Sequence, residues 1–221
     1  MINSQSTYAP PRDCKLDFIF SDGSLLVVNK PPGLLSVPGR GADKADSLTS
    51  RVQAEFPDAL SVHRLDMGTS GLLVLARGKE MHGRLSRLFR ERKVKKSYIA
   101  MVMGRPEPAA GSVDLPLGSD WPNRPRQKVD YAEGKSSLTR YRLLAHDAAT
   151  GTSRIELEPV TGRTHQLRLH MAAIGHPIVG DTLYGGASGA TAERLLLHAS
   201  VLSFTHPFSA EPLTLVSDAP F

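Results

Sequence analysis

No purely apolar run in this chain is longer than six residues, Leu72 to Ala76 being one of five residues, and that shortness limits the fold more than any other feature. A membrane-spanning helix needs roughly 20 apolar residues, so none is expected. Leu72 to Ala76 reads instead as a continuous apolar strand. Comparable short segments succeed one another: Leu16 to Phe20, Leu25 to Val28, Ser97 to Met103, Leu138 to Leu144, Arg154 to Val160, Leu195 to Ala199 and Leu213 to Val216. Helical spacing is found in only three places. Ser47 caps a helix carrying Leu48, Val52 and Phe56, and Pro57 ends it. Met81, Leu85, Leu88 and Phe89 share one face of a second, with Lys79, Arg87 and Arg90 opposite. Leu167, His170, Met171 and Ile174 line a third, between a Thr164 cap and Gly175. Strands that follow strands, with few helices between them, predict an α+β domain with a mixed, largely antiparallel sheet.

Residues 1–15 are polar, contain Pro10-Pro11 and read as an extended tail; one domain is expected from 16 to 221. Ser21-Asp22-Gly23-Ser24 has the composition of a hairpin turn. Lys30-Pro31-Pro32-Gly33 loses two backbone donors to proline, so it forms a shaped loop rather than a strand, and Val37-Pro38-Gly39 breaks the chain again. No nucleotide cofactor is expected: Gly39-Arg40-Gly41 lacks a third glycine and follows a proline, and no phosphate-cradling lysine loop occurs. No metal is expected either, because Cys14 is the only cysteine, His-Glu-x-x-His is missing, and His165 and His170 stand five apart. A single cysteine excludes an internal disulfide, and the first residues lack the charged-then-apolar order of a signal peptide, so the expected compartment is the cytoplasm.

Twenty-seven Lys and Arg against 22 Asp and Glu give a formal +5, a weak hint of a polyanionic partner. Placement sharpens the hint. Residues 77–96 hold nine basic and two acidic side chains, a local +7 that exceeds the excess of the whole chain. That stretch contains the second helix, with Arg87 and Arg90 as its exposed cations, and it directly follows the cluster His63-Arg64-Leu65-Asp66-Met67-Gly68-Thr69-Ser70-Gly71. A carboxylate on a glycine-flanked loop before a strand can meet a substrate while the sheet holds its backbone, which makes Asp66 the candidate nucleophile or base. A surface ion pair between Arg64 and Asp66 is the competing structural reading.

Thr161-Gly162-Arg163-Thr164-His165-Gln166-Leu167-Arg168 places cations at a helix start, where backbone N–H groups already favour an anion. Arg168 there could keep a carboxylate such as Asp66 ionised. Asp120-Trp121-Pro122-Asn123-Arg124-Pro125-Arg126-Gln127-Lys128 sets the only tryptophan among Arg124, Arg126 and Lys128, a composition suited to stacking bases and neutralising phosphates, although Trp121 could equally plug the core. Tyr98 alternates with Ile99 in its strand and reads as a buried tyrosine with its hydroxyl satisfied.

Taken together, Asn29-Lys30-Pro31-Pro32-Gly33-Leu34-Leu35-Ser36-Val37-Pro38-Gly39, His63-Arg64-Leu65-Asp66, Asp120 to Lys128 and Gly162 to Gly180 resemble the RluA family of pseudouridine synthases, in order and spacing, from about residue 16 onward. The resemblance implies that family's catalytic domain, built around a basic cleft, and an isomerase that needs no cofactor. It breaks the bond from C1′ of a uridine to N1, turns the base and rejoins it through C5. By the same resemblance Asp66 is the catalytic aspartate, either attacking C1′ or taking part in proton abstraction through a glycal-type intermediate. Arg168 pairs with it, Tyr98 packs on the target base and assists the late proton transfer at C5, and Arg64 fills the stack when the uridine flips out. His63, Arg163 and His165 have supporting places in these motifs, and His63 is counted among the RNA contacts.

Many relatives carry a charged residue directly after the aspartate; Met67-Gly68 is closer to the branch that gives the family its name. Larger relatives also carry an N-terminal S4-type RNA-binding domain, for which patterning that starts near residue 16 leaves no room. The expected protein is a monomer that holds RNA with its catalytic domain and modifies hairpin loops of 23S ribosomal RNA, of the tRNA anticodon arm, or both. Two other classes compete: a non-catalytic RNA-binding or RNA-folding protein on the same fold, and an N-glycosidase that brings water to C1′.

Overall fold

The computed structural model describes residues 8–12, 14–186 and 191–221; residues 1–7 and 13 of the expected tail lie outside the described residues. The rest of that tail is tied down. Tyr8 Oη donates to the Asp46 carbonyl and accepts the Leu35 N–H, both at 3.0 Å, and Arg51 reaches Cys14 Sγ and the Pro11 carbonyl. No helix among the described residues is long and apolar enough to cross a membrane.

The hairpin expected at Ser21 to Ser24 joins β1 (Phe18–Ser21) to β2 (Leu25–Lys30), with Asp22 Oδ1 accepting the Ser24 and Leu25 N–H groups. Next comes α1 (Leu48–Glu55), started by Ser47, whose side chain accepts the Ser50 N–H while Ser50 Oγ accepts the Ser47 N–H in return. A short β3 (Ala59–Ser61) and the Asp66 loop lead into β4 (Ser70–Arg77), followed by α2 (Gly78–Arg90) and β5 (Lys95–Met103). β6 (Ala110–Asp114), the small hairpin of β7 (Leu117–Ser119) and β8 (Gln127–Val129), and the long pair β9 (Leu138–Asp147) and β10 (Thr152–Pro159) come before α3 (Gln166–Ala173). β11 (Leu197–Thr205) and β12 (Pro212–Val216) complete the described elements.

Ten of these strands form one sheet in the order β1-β2-β4-β11-β5-β10-β9-β6, with β3 also on β4 and β12 on β11. Among the described residues, all its pairings are antiparallel except β4 with β11, where Ser70 faces His198 and Gly71 faces Ala199. The mixed, largely antiparallel α+β architecture read from the sequence is therefore the one observed. The unbroken apolar run in β4 has a packing reason: side chains alternate across a strand, and β4 is covered on both faces. Leu72, Val74 and Ala76 meet Met81 and Leu85 of α2, whereas Leu73 and Leu75 meet Leu48 and Val52 of α1. A third core joins β5, β9 and β10 to Leu167 and Met171 of α3. Gly71 permits the parallel junction, since a Cβ there would stand 2.3 Å from the Ala199 carbonyl oxygen. The Asp66 loop thus enters the sheet where its two halves meet.

One expected cap differs. α3 begins after His165, not Thr164, and His165 takes φ 54° and ψ 18°, in the left-handed region, with no side-chain cap. The helix start is closed instead by Gln166, whose Oε1 accepts the Arg163 N–H at 3.0 Å and the Thr161 hydroxyl at 2.7 Å. Gly175, at φ 83°, ends the helix as expected.

Candidate active site

Asp66 is held through its neighbours. Ser36 Oγ donates to the Leu65 carbonyl at 2.7 Å and accepts the Leu65 N–H at 3.0 Å, which fixes the residue before it. The residue after it is fixed by Lys30 and Gly33: the buried Lys30 ammonium donates to the carbonyls of Met67, Leu34 and Pro31, and the Gly33 N–H also reaches Met67. Burial pulls the Lys30 amine down to about 7, against the opposing charge of Asp66. The shaped loop from Lys30 to Ser36 is therefore the clamp of the Asp66 loop. The Asp66 side chain itself remains about 20% exposed at the floor of a cleft.

Two side chains meet at that carboxylate, the Arg168 guanidinium and the His165 ring. Arg168 Nη1 is 3.3 Å from Asp66 Oδ2, while its Nε and Nη2 each reach Asp181 at 2.7 Å. Burial works against both ions of the Arg168–Asp181 pair, yet Arg168 stays above and Asp181 below its ordinary range, because the bidentate pairing and the Leu183 and Tyr184 N–H groups outweigh it. Asp181 is thus the anchor that leaves one guanidinium nitrogen free for Asp66. His165 Nε2 stands 3.9 Å from Asp66 Oδ1, placed there by the left-handed backbone at the helix start, a conformation that costs on the order of 1 kcal/mol or more. Burial keeps the His165 ring below its usual pKa, with Asp66 opposing.

The cleft above Asp66 has a volume of about 650 Å³, within the range of small-ligand sites. Tyr98 forms part of its wall; burial, then the charge of Asp66, raises its phenol above the ordinary value, so it stays protonated. Its hydroxyl has no hydrogen-bond partner among the described residues, contrary to the satisfied tyrosine expected of a plain core position. Among the described residues, Asp66 is the only carboxylate in a lining that includes Arg64, Arg90, Arg92, Lys96, Arg163 and Arg168. Such a site attracts a polyanion and presents one negative group to it. Among the described residues no group of three or more His, Cys, Asp and Glu side chains is placed to hold a metal ion.

The structure brings Asp66, Tyr98 and Arg168 together. Arg64 is exposed at the rim, and Asp66 pairs with Arg168, not with Arg64. His63 is turned into the fold: its Nε2 accepts the Val74 N–H at 3.0 Å, its ring stacks on Phe89 at 4.5 Å, and burial, then the charge of Lys96, drives its pKa down to about 3. It stays neutral and braces the motif. Arg90 lines the cleft and Arg87 is exposed beside it on the last turn of α2. Trp121, Arg124, Arg126 and Lys128 sit on the β7–β8 hairpin, outside the lining of the cleft. Trp121 is 67% exposed with the Arg124 guanidinium 4.0 Å over its ring, so it does not plug the core. Lys30, Ser36, Asp181 and Tyr184 were not singled out from the sequence; the one signal available for Asp181 was that a buried arginine needs a full counter-ion.

Residues 24–173 match the family described as RNA pseudouridylate synthase. The chain belongs to that family. Among curated members, a protein from Escherichia coli (strain K12) called dual-specificity RNA pseudouridine synthase RluA is 51% identical over 215 residues, covering 97% of this chain and 98% of that protein. Its namesake from Vibrio parahaemolyticus is 51% identical over 206 residues, covering 91% and 82%. The solved structure of human RNA pseudouridylate synthase domain containing 1 superposes with a TM-score of 0.79 at 33% identity, covering 96% of this chain and 87% of the other. Membership in the RNA pseudouridylate synthase family favours the catalytic reading over an RNA-binding protein without chemistry.

Proposed function

We propose that this enzyme isomerises a chosen uridine to pseudouridine in hairpin loops of 23S ribosomal RNA and of the tRNA anticodon arm, acting in the cytoplasm as a monomer. The observation that carries the reading is a lone carboxylate, Asp66, held by a buried Arg168 in a cleft whose other charged lining side chains, among the described residues, are all cations. The dual specificity in the names of the relatives supports the two RNA classes.

The reaction is balanced within the substrate: the C1′–N1 bond breaks, a C1′–C5 bond forms, and the proton on C5 is replaced by one on N1. In the proposed roles Asp66 supplies negative charge beside C1′ as oxocarbenium character develops there, from a position fixed before substrate arrives. Arg168 keeps that carboxylate ionised and oriented. Tyr98, as a neutral phenol, packs on the turned base, and can take a proton from C5 only after releasing its own. Arg64, at the rim, occupies the stack vacated by the flipped uridine, offsetting an unstacking cost of a few kcal/mol. The exposed Trp121 and Arg124 of the hairpin hold the flanking loop nucleotides by stacking, with Arg126 and Lys128 on phosphates.

Incubation of the wild-type protein with hairpin RNAs, followed by carbodiimide labelling and primer extension, tests the assignment. A carbodiimide stop at one loop uridine with no free base released is the expected result. Free uracil would make the protein an N-glycosidase, and binding without either product would make it a binder alone.

A further inference from the structure

Tyr184 joins two parts of the molecule that the reaction needs. Its Oη lies 2.8 Å from the Gln127 backbone nitrogen and 2.8 Å from His165 Nδ1. The Gln127 N–H can only donate, so Oη accepts there. The tyrosine's one hydroxyl proton then has a single acceptor among the described residues, His165 Nδ1. A neutral imidazole that accepts at Nδ1 carries its proton at Nε2, the nitrogen 3.9 Å from Asp66 Oδ1. The tyrosine is well braced for this: its N–H donates to Asp181 at 3.1 Å, its ring stands edge-on to His165 at 5.6 Å, and the Arg168 guanidinium lies 5.3 Å over it. On the other side, Gln127 opens β8 immediately after the loop that carries Trp121, Arg124 and Arg126.

We propose that Tyr184 is a positioning residue: its hydroxyl fixes the Nε2–H tautomer of His165 toward Asp66 and ties the RNA-facing β7–β8 hairpin to the wall of the catalytic cleft. The inference rests on the RNA pseudouridine synthase reading, and deepens it by naming how a loop remote from the reacting atoms bears on them. The charged groups around His165 are Asp66, Arg168, Asp181 and Arg64, with burial the largest influence on the ring. A donor at Nδ1 stabilises the neutral ring, so removing it raises the titration midpoint of His165.

The test compares the full-length wild type with Tyr184→Phe, which keeps the ring and its packing. Nitrogen-15 NMR of the RNA-free proteins reads the His165 tautomer and its titration; single-turnover tritium release from hairpin RNA carrying uridine labelled at C5 reads the chemistry. The expected wild type is an Nε2–H tautomer. In Tyr184→Phe the tautomers mix, the midpoint rises by about half to one pH unit, and the rate at saturating RNA falls about 10- to 100-fold, a larger change than that in RNA affinity. The Gln127 amide also exchanges faster with solvent. An Nδ1–H tautomer in the wild type overturns the proposal, as does a rate loss in the variant with His165 unchanged, or a shifted His165 with the wild-type rate. Should the wild type release no tritium from any RNA, the RNA reading fails by itself, while the tautomer measurement still decides the role of the hydroxyl.

Discussion

Asp66 owes its position less to its own partners than to those of Leu65 and Met67, gripped by Ser36 on one side and by Lys30 and Gly33 on the other. Removing the grip is informative because it leaves every cleft side chain in place. Lys30→Met takes the ammonium from three carbonyls, of which Met67 keeps the Gly33 N–H, and is expected to lower stability by about 1 to 3 kcal/mol; denaturant titration measures this. Its rate of isomerisation at saturating RNA should fall more than its RNA affinity, and an unchanged rate would mean that the clamp does not position Asp66. At this scale the sequence was uneven. Asp66 and Arg168 were legible because a carboxylate on a glycine-flanked loop and an arginine off an apolar stripe are each unusual enough to be noticed. Lys30 and Asp181 were not, since a lysine before two prolines and an aspartate after a glycine look like ordinary turn residues until burial is known.

Among the elements, α2 and the strand after it decide how RNA is drawn in. Of the nine cations in residues 77–96, Arg77, Arg84 and Lys93 are neutralised by Asp58, Glu80 and Glu91. Lys79, Arg87, Arg90, Arg92, Lys95 and Lys96 make no ion pair among the described residues, and Arg90, Arg92 and Lys96 line the cleft. Reversing Arg87 and Arg90 to Glu should weaken RNA binding and flatten its salt dependence, by about 0.7 to 0.9 in the log–log slope for each phosphate no longer neutralised. Binding titrations across a salt series check this, with Arg90→Glu alone having a larger effect than Arg87→Glu alone, because of the two only Arg90 lines the cleft. A loss confined to the chemical step would count against the assignment. The elements themselves were largely readable: the Ser47 cap, the α2 face and the β4 run all follow from local spacing. Pairing was not, because periodicity reports which face of a strand is buried and never its neighbour, so the parallel β4–β11 junction and the start of α3 at His165 had to come from the fold.

For the whole molecule, one sheet with helices at its centre and a cation-lined cleft beside the β4–β11 junction makes stability and function share buried polar groups. His63, His165, His170 and His198 all titrate below the ordinary histidine value in the folded state, first through burial, with His63 at about 3 and His198 at about 4. Between those values and about 6.5 the unfolded chain takes up protons that the folded chain refuses, so stability falls as the pH is lowered through this window. Lys30, pulled to about 7, gives the same sign at higher pH: stability rises from about 7 toward 10.5. Melting temperatures should therefore drop steadily from pH 7 to pH 4, and His198→Gln should shallow that slope; a flat profile would contradict the burial argument. In the proposed function the whole architecture serves to present one carboxylate to a flipped uridine. Tritium release from hairpin RNA labelled at uridine C5 tests that role most directly in Asp66→Asn: abolished release with RNA binding retained is the predicted result, and release at the wild-type rate would contradict it.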